Sequence, residues 1–170
     1  NSDDLKYPKA WGQPELRQAI AEYYSHYYGS SIDYENVMIF AGGRPGLTAL
    51  LMFLQPDIEV QIASTEYTPY YDMLRLLKRN YRVVDSTMEN KFYPTTDQYF
   101  GSEHNKRKLI LLSNPCNPTG ITRKTDELKE IIGYSEESEN GILFDEAYEL
   151  FHTPPISSLE YVKDLNNSNI

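Results

Sequence analysis

Three short segments carry side chains whose types and spacing suit chemistry. Asn114-Pro-Cys-Asn-Pro-Thr-Gly120 follows one apolar run, and Asp145-Glu-Ala-Tyr148 follows the next. Upstream, Gly42-Gly-Arg-Pro-Gly46 stands between an apolar run and a helical pattern. An ionised carboxylate at the end of a buried strand can hold a protonated nitrogen opposite it, and burial strengthens such a pair. An asparagine amide donates a hydrogen bond without adding charge, and a tyrosine hydroxyl stabilises an anionic oxygen beside it. Backbone N–H groups at a strand-to-helix junction, aided by the helix dipole, form an anion site, although Pro45 has no N–H to give. Each segment alone also has a plainer reading: Asp145 as a turn residue, the Asn-Pro pairs as loop dipeptides, the glycines as a simple junction. Two Asn-Pro pairs separated by one residue and then Thr-Gly go beyond ordinary turn usage. One Asn–Pro bond is expected to be cis, aiming the asparagine side chain.

Other chemistries find little support. His26, His104 and His152 are scattered, with no Cys or second His at ligand spacing, so no metal site is indicated. No Gly-x-Ser-x-Gly nucleophile motif is present. Cys116 sits inside the Asn-Pro loop and reads as a spacer.

Taken in order, the Asn-Pro-x-Asn-Pro-Thr-Gly loop and the Asp-x-Ala-Tyr segment resemble the large domain of the fold-type I, class I/II aminotransferases, which use pyridoxal 5′-phosphate. The resemblance runs from about Tyr7 to about Tyr148 and implies a role for each matching residue. Asp145 would pair with the ring nitrogen of the cofactor, and Tyr148 would bond its ring oxygen; these are the two catalytic candidates. Asn117 would bind the same ring oxygen and help to hold the substrate carboxylate. Gly43 and Arg44 match phosphate-loop positions, and Tyr67, in Thr65-Glu-Tyr-Thr-Pro-Tyr70, matches the aromatic residue stacked on the ring. Tyr70 and Tyr71 are further aromatic candidates nearby, and Glu146 is expected to point to the opposite side. Tyr7 resembles a tyrosine that reaches the phosphate of the neighbouring subunit, which implies a homodimer with a shared active site.

The implied activity is exchange of an amino group between an amino acid and a 2-oxo acid. Alternatives on the same fold are a pyridoxal phosphate-dependent lyase or synthase, and a non-catalytic aminotransferase-like domain. The family links its cofactor to a lysine expected a few dozen residues past Asp145. Lys163 is the only lysine after Asp145, and it lies in a charged stretch with no buried strand before it. The chain therefore reads as part of the large domain, residues 1–170, without the N-terminal arm, the lysine-bearing segment or the small domain. These 170 residues alone are expected not to turn over.

The elements that must place these residues follow from periodicity. Residues 14–28 read as a helix with Pro14 in its first turn and Leu16, Ile20 and Tyr24 on one face; Gly29 stops it. Residues 37–40 read as a short strand, 41–46 as a turn, and 47–54 as the start of a helix. Strands are expected at 59–63, 81–84, 109–112 and 142–144, the last two as unalternating apolar runs of the kind buried on both faces. Helices are expected at 69–78, with Met73, Leu74 and Leu77 inward, and at 125–134, capped by Thr125. Residues 85–108 are polar and turn-rich, with room for one short strand. A weak helix is expected at 158–165, and 166–169 read as a polar loop. Alternating strands and helices imply right-handed crossovers and a mostly parallel sheet, here a three-layer α/β/α arrangement, with ligands beyond the carboxyl ends of the strands.

Bulk properties agree. The chain has enough residues for one domain with a core. A formal net charge of −9 argues against a nucleic-acid binder and against docking on anionic membranes. No apolar run approaches the ~20 residues of a membrane helix, and Asn1-Ser-Asp-Asp4 has no signal-peptide pattern. A single cysteine excludes an internal disulfide and fits a reducing compartment, the cytoplasm by default.

Overall fold

The computed structural model describes residues 6–101, 106–136, 138–165 and 168–170. The expectations for residues 1–4, for His104 and for the start of the 166–169 loop fall outside them. In chain order the elements are helix α1 (Pro14–Tyr28), helix α2 (Gly43–Phe53), strand β1 (Glu59–Ala63), helix α3 (Pro69–Leu76), strand β2 (Tyr81–Val84), helix α4 (Thr96–Phe100), strand β3 (Lys108–Ser113), helix α5 (Thr125–Glu136) and strand β4 (Gly141–Asp145). Among the described residues no helix is long and apolar enough to cross a membrane.

The four strands form one parallel sheet in the order β2-β1-β3-β4. Its three layers follow from the alternation of β3. Leu109 and Leu111 join Leu51 of α2 and Tyr70, Met73 and Leu74 of α3 on one face. Ile110 and Leu112 join Phe100 of α4 and Leu128, Ile131 and Ile132 of α5 on the other. Because β3 is buried along its whole length, both of its faces must be apolar, which is why it shows no polar alternation. The chain winds outward from β1 to β2, then returns past β1 to β3 and β4, so the winding direction changes at the β1/β3 boundary. There the pairing ends at Gln61–Ile110, while β1 runs on with β2 to Ala63–Val84 and β3 runs on with β4 to Ser113–Asp145. The sheet therefore parts above this boundary, and a crevice opens at the carboxyl ends of the strands.

Several expected elements differ in the structure. Residues 37–40 form no strand: Ile39 N–H bonds the Trp11 carbonyl at 3.0 Å, but the Val37 carbonyl is taken by Arg17 Nε at 2.7 Å, so no ladder grows. The buried face of α1 is Arg17, Ala21 and Tyr28, whereas Leu16 is exposed. That face wins because Arg17 also bonds the Tyr34 carbonyl at 2.6 Å, closing the 3-10 turn Tyr34–Asn36 against the helix. Helix α2 begins at Gly43, with Pro45 in its first turn, where a missing N–H leaves no bond broken. The excursion after β2 holds the helix α4 and no strand among its described residues; Thr95 and Gln98 cap it reciprocally. In α5 the cap is Lys124, whose carbonyl accepts from Leu128 N–H and whose N–H bonds Glu127 Oε2 at 2.9 Å; Thr125 is the first helical residue. The expected last helix is one 3-10 turn, Ser158–Glu160.

Candidate cofactor site

Three strand ends and one helix start deliver the site. Beyond β1 the chain turns through Ser64-Thr-Glu-Tyr67 into α3, and Tyr70 N–H bonds the Tyr67 carbonyl at 2.9 Å. Beyond β3 the loop is closed by Asn114, which is fully buried. Its Oδ1 accepts from Arg123 N–H at 2.7 Å and its Nδ2 donates to the Arg123 carbonyl at 3.2 Å. Cys116 N–H bonds the Ile121 carbonyl at 2.8 Å inside the same loop, and both Asn–Pro bonds are cis. Asn114 N–H reaches the Asp145 carbonyl at 2.9 Å, so the Asn-Pro loop and the Asp145 segment leave the sheet side by side.

A cavity of about 200 Å³ lies at this edge, lined by Gly43, Arg44, Leu47, Tyr67, Tyr70, Ser113, Asn117, Asp145, Ala147 and Tyr148. It gathers every sequence-derived site residue except Tyr7, which is fully exposed and not among its lining residues. Asn117 and Tyr148 also border a second cavity of about 400 Å³ with Pro118, Phe151 and His152. Lys163 belongs to neither; it lines a separate hollow with Lys129, Glu136 and Glu160.

Asp145 is held at both oxygens. Tyr70 hydroxyl donates to Oδ2 at 2.6 Å and Ala147 N–H donates to Oδ1 at 3.1 Å, which leaves lone pairs for a further donor. Burial, and then the bond to Asp145, push the Tyr70 hydroxyl well above its ordinary pKa, so it stays a donor. Tyr67 stands edge-to-face on Tyr70, with ring centroids 5.3 Å apart. Arg44 donates to the Tyr67 hydroxyl from Nε at 3.1 Å and from Nη2 at 2.5 Å, so its guanidinium turns into the cavity. Asn117 Nδ2 approaches the Tyr148 hydroxyl at 3.5 Å. Glu146 points away, as expected, and accepts from Ser157 Oγ at 2.7 Å and Ser158 N–H at 2.6 Å.

Sequence reasoning missed three supports. Tyr70 was one of several nearby aromatics, with nothing local to mark its bond to Asp145. Glu66 is buried and accepts from Ser113 Oγ at 2.6 Å; burial pushes its carboxyl up to about 7, against the opposing pull of the Ser113 bonds and the Arg123 charge. Glu149, one residue past Tyr148, is buried and takes hydrogen bonds from three phenols of α1: Tyr23 at 2.8 Å, Tyr24 at 2.9 Å, and Tyr28. The spacing of those tyrosines along α1 was the available signal.

The donor set has a direction. At one end are the first turn of α2 and a guanidinium, suited to a phosphate or other anion; at the other is a fixed carboxylate, suited to a protonated ring nitrogen. The Tyr67 ring links the two ends through Arg44 and Tyr70, and two hydrogen-bonding groups, Asn117 and Tyr148, line the same cavity. A flat, phosphate-bearing aromatic ring with a basic nitrogen and a ring oxygen fits this set.

The chain is similar to proteins of known family. The family model described as "Aminotransferase class I and II" matches residues 1–164. The chain is 31% identical over 143 residues to the asparagine–oxo-acid transaminase of Streptococcus mutans, covering 84% of this chain and 36% of that protein. It is 33% identical over 141 residues to the aspartate aminotransferase of Pyrococcus horikoshii, covering 82% of this chain and 36% of that protein. Substrate-bound BacF from Bacillus subtilis is similar in structure, with a TM-score of 0.84 at 27% identity, over 94% of this chain and 42% of that one. The chain thus spans little more than a third of the length of these curated relatives.

Proposed function

The chain belongs to the class I and II aminotransferase family, and on that premise we propose that residues 1–170 form part of a pyridoxal 5′-phosphate-binding large domain. The complete enzyme would transfer an amino group between an amino acid and a 2-oxo acid. The observation that carries this reading is the single cavity that collects Gly43, Arg44, Tyr67, Asn117, Asp145 and Tyr148 from four separate parts of the chain.

Bound pyridoxal phosphate supplies an electron sink for the electron pair freed when the substrate loses its α-proton. Asp145 keeps a proton on the ring nitrogen, and Tyr70 and Ala147 N–H hold the carboxylate for that task. Tyr67 supports one face of the ring. The α2 start at Gly43 and the Arg44 guanidinium hold the phosphate. The Tyr148 hydroxyl and Asn117 Nδ2 donate to the ring oxygen, which spreads its negative charge. Asn117 also faces the second cavity, where it would help to hold the substrate carboxylate. The lysine that the family needs for proton transfer is not among the residues lining the cavity and would come from another segment of the complete enzyme. Tyr7, exposed here, would reach the phosphate of a second copy in a homodimer. A cytoplasmic setting suits the one free thiol, Cys116.

Binding of pyridoxal phosphate and of pyridoxal, followed by fluorescence quenching in the complete protein, tests the assignment. The phosphate ester should bind more tightly, and Arg44→Ala should cut that preference about tenfold, the scale of one charge-assisted bond. Equal affinity for both compounds in the unsubstituted protein would contradict it.

A further inference from the structure

We propose that Glu66 is a positioning residue that fixes Asn117 through Ser113. The inference rests on the cofactor reading of Asn117 above. Glu66 does not line the candidate cofactor cavity; Ser113 and Asn117 do. Ser113 Oγ donates to Glu66 Oε2 at 2.6 Å and accepts from Asn117 N–H at 3.0 Å. One hydroxyl therefore joins a buried carboxylate to the backbone of the residue that aims its amide at Tyr148.

The sheet explains why a side chain is needed at this point. Pairing of β1 with β3 ends at Gln61–Ile110, so Ser113 N–H finds no β1 carbonyl opposite it. The Glu66 carboxylate takes that bond instead, at 3.2 Å to one oxygen and 3.3 Å to the other. Glu66 thus bridges the parted strands at the mouth of the crevice and holds the end of β3 at the spacing the cavity requires. An acceptor that only capped Ser113 N–H would not need the Ser113 hydroxyl as well. Here the hydroxyl is committed on both sides, to Glu66 as donor and to Asn117 as acceptor, which sets the direction of the whole chain of bonds.

The experiment uses the complete protein with Glu66→Ala, Glu66→Gln, Ser113→Ala and Asn117→Ala. Two quantities are read: the Kd for pyridoxal phosphate, and the Asn117 amide resonance in the cofactor-free protein labelled with 15N-asparagine. Glu66→Ala and Ser113→Ala should both move the Asn117 resonance and weaken binding about tenfold, the effect of one lost buried hydrogen bond. Glu66→Gln, which keeps an acceptor, should restore most of both. Should Glu66→Ala fail to fold, Ser113→Ala breaks the same chain at its centre. An Asn117 resonance that stays in place in Ser113→Ala, or a glutamine variant as impaired as the alanine one, would overturn the proposal. If Asn117→Ala binds the cofactor normally, the cofactor reading of Asn117 fails, and the resonance in the cofactor-free protein still decides the relay.

Discussion

Replacing Glu66 by glutamine is expected to stabilise the fold at alkaline pH and to change little below pH 5. The Glu66 carboxyl is buried, and loss of hydration lifts its pKa from 4.5 to about 7 in the folded chain. Arg123 pulls the other way, and Tyr70, Tyr71 and Tyr99 feel the Glu66 charge, but desolvation is the largest effect. Because the folded value is the higher one, the native state binds more protons than the unfolded chain between those two values. Stability must then fall as pH rises through that window and level off above it. The gap corresponds to at most about 3–4 kcal/mol. Glutamine has no charge to bury and keeps an oxygen for Ser113, so it escapes the cost of ionisation. Denaturant unfolding of both proteins at pH 5, 6, 7 and 8 should show curves that diverge up to about pH 7 and then run parallel, with glutamine the more stable. Curves parallel over the whole range would show that Glu66 titrates normally, and the burial argument would fail.

Two further substitutions probe the supports of Asp145 and Tyr148. Tyr70→Phe removes the donor 2.6 Å from Asp145 Oδ2 while the ring still packs on Tyr67; unfolding at neutral pH should show a loss of about 1–3 kcal/mol. Glu149→Ala strips the acceptor from Tyr23, Tyr24 and Tyr28, and a loss of about 2–4 kcal/mol is expected in urea; Glu149→Gln, with one oxygen left, should lose less.

Strands were the most legible part of the fold. Residues 59–63 and 81–84 are strands as expected, and β3 and β4 extend the expected cores by a residue or two at their ends. Such runs announce themselves because a strand covered on both faces must be apolar throughout. Residues 37–40 have the same composition and are not a strand, since what decided the matter was a guanidinium twenty residues earlier. The inward face of α1 failed for the same reason: Arg17 and Tyr28 are buried by partners at Val37 and Glu149, and no local pattern encodes those. The α4 capping pair, Thr95 and Gln98, has a readable spacing, but it stands in a polar stretch with little apolar periodicity to mark a helix. For the site, residues carried by motifs converge on one cavity. Glu66 and Tyr70 act on residues of other elements, and Glu149, though next to Tyr148, finds its partners on α1, so none of the three leaves a short signature. Tyr7 is exposed and does not line the cavity of its own chain, and a side chain meant for a neighbouring copy need not do so.

The most direct test titrates pyridoxal phosphate into the complete protein and its Asp145→Asn variant at pH 7.5, followed by fluorescence quenching and by near-ultraviolet dichroism of the cofactor. Saturable binding of one cofactor per chain is predicted, weakened at least about tenfold by the loss of the carboxylate that pairs with the ring nitrogen. Binding that Asp145→Asn leaves unchanged, or no binding at all, would contradict the assignment of this cavity.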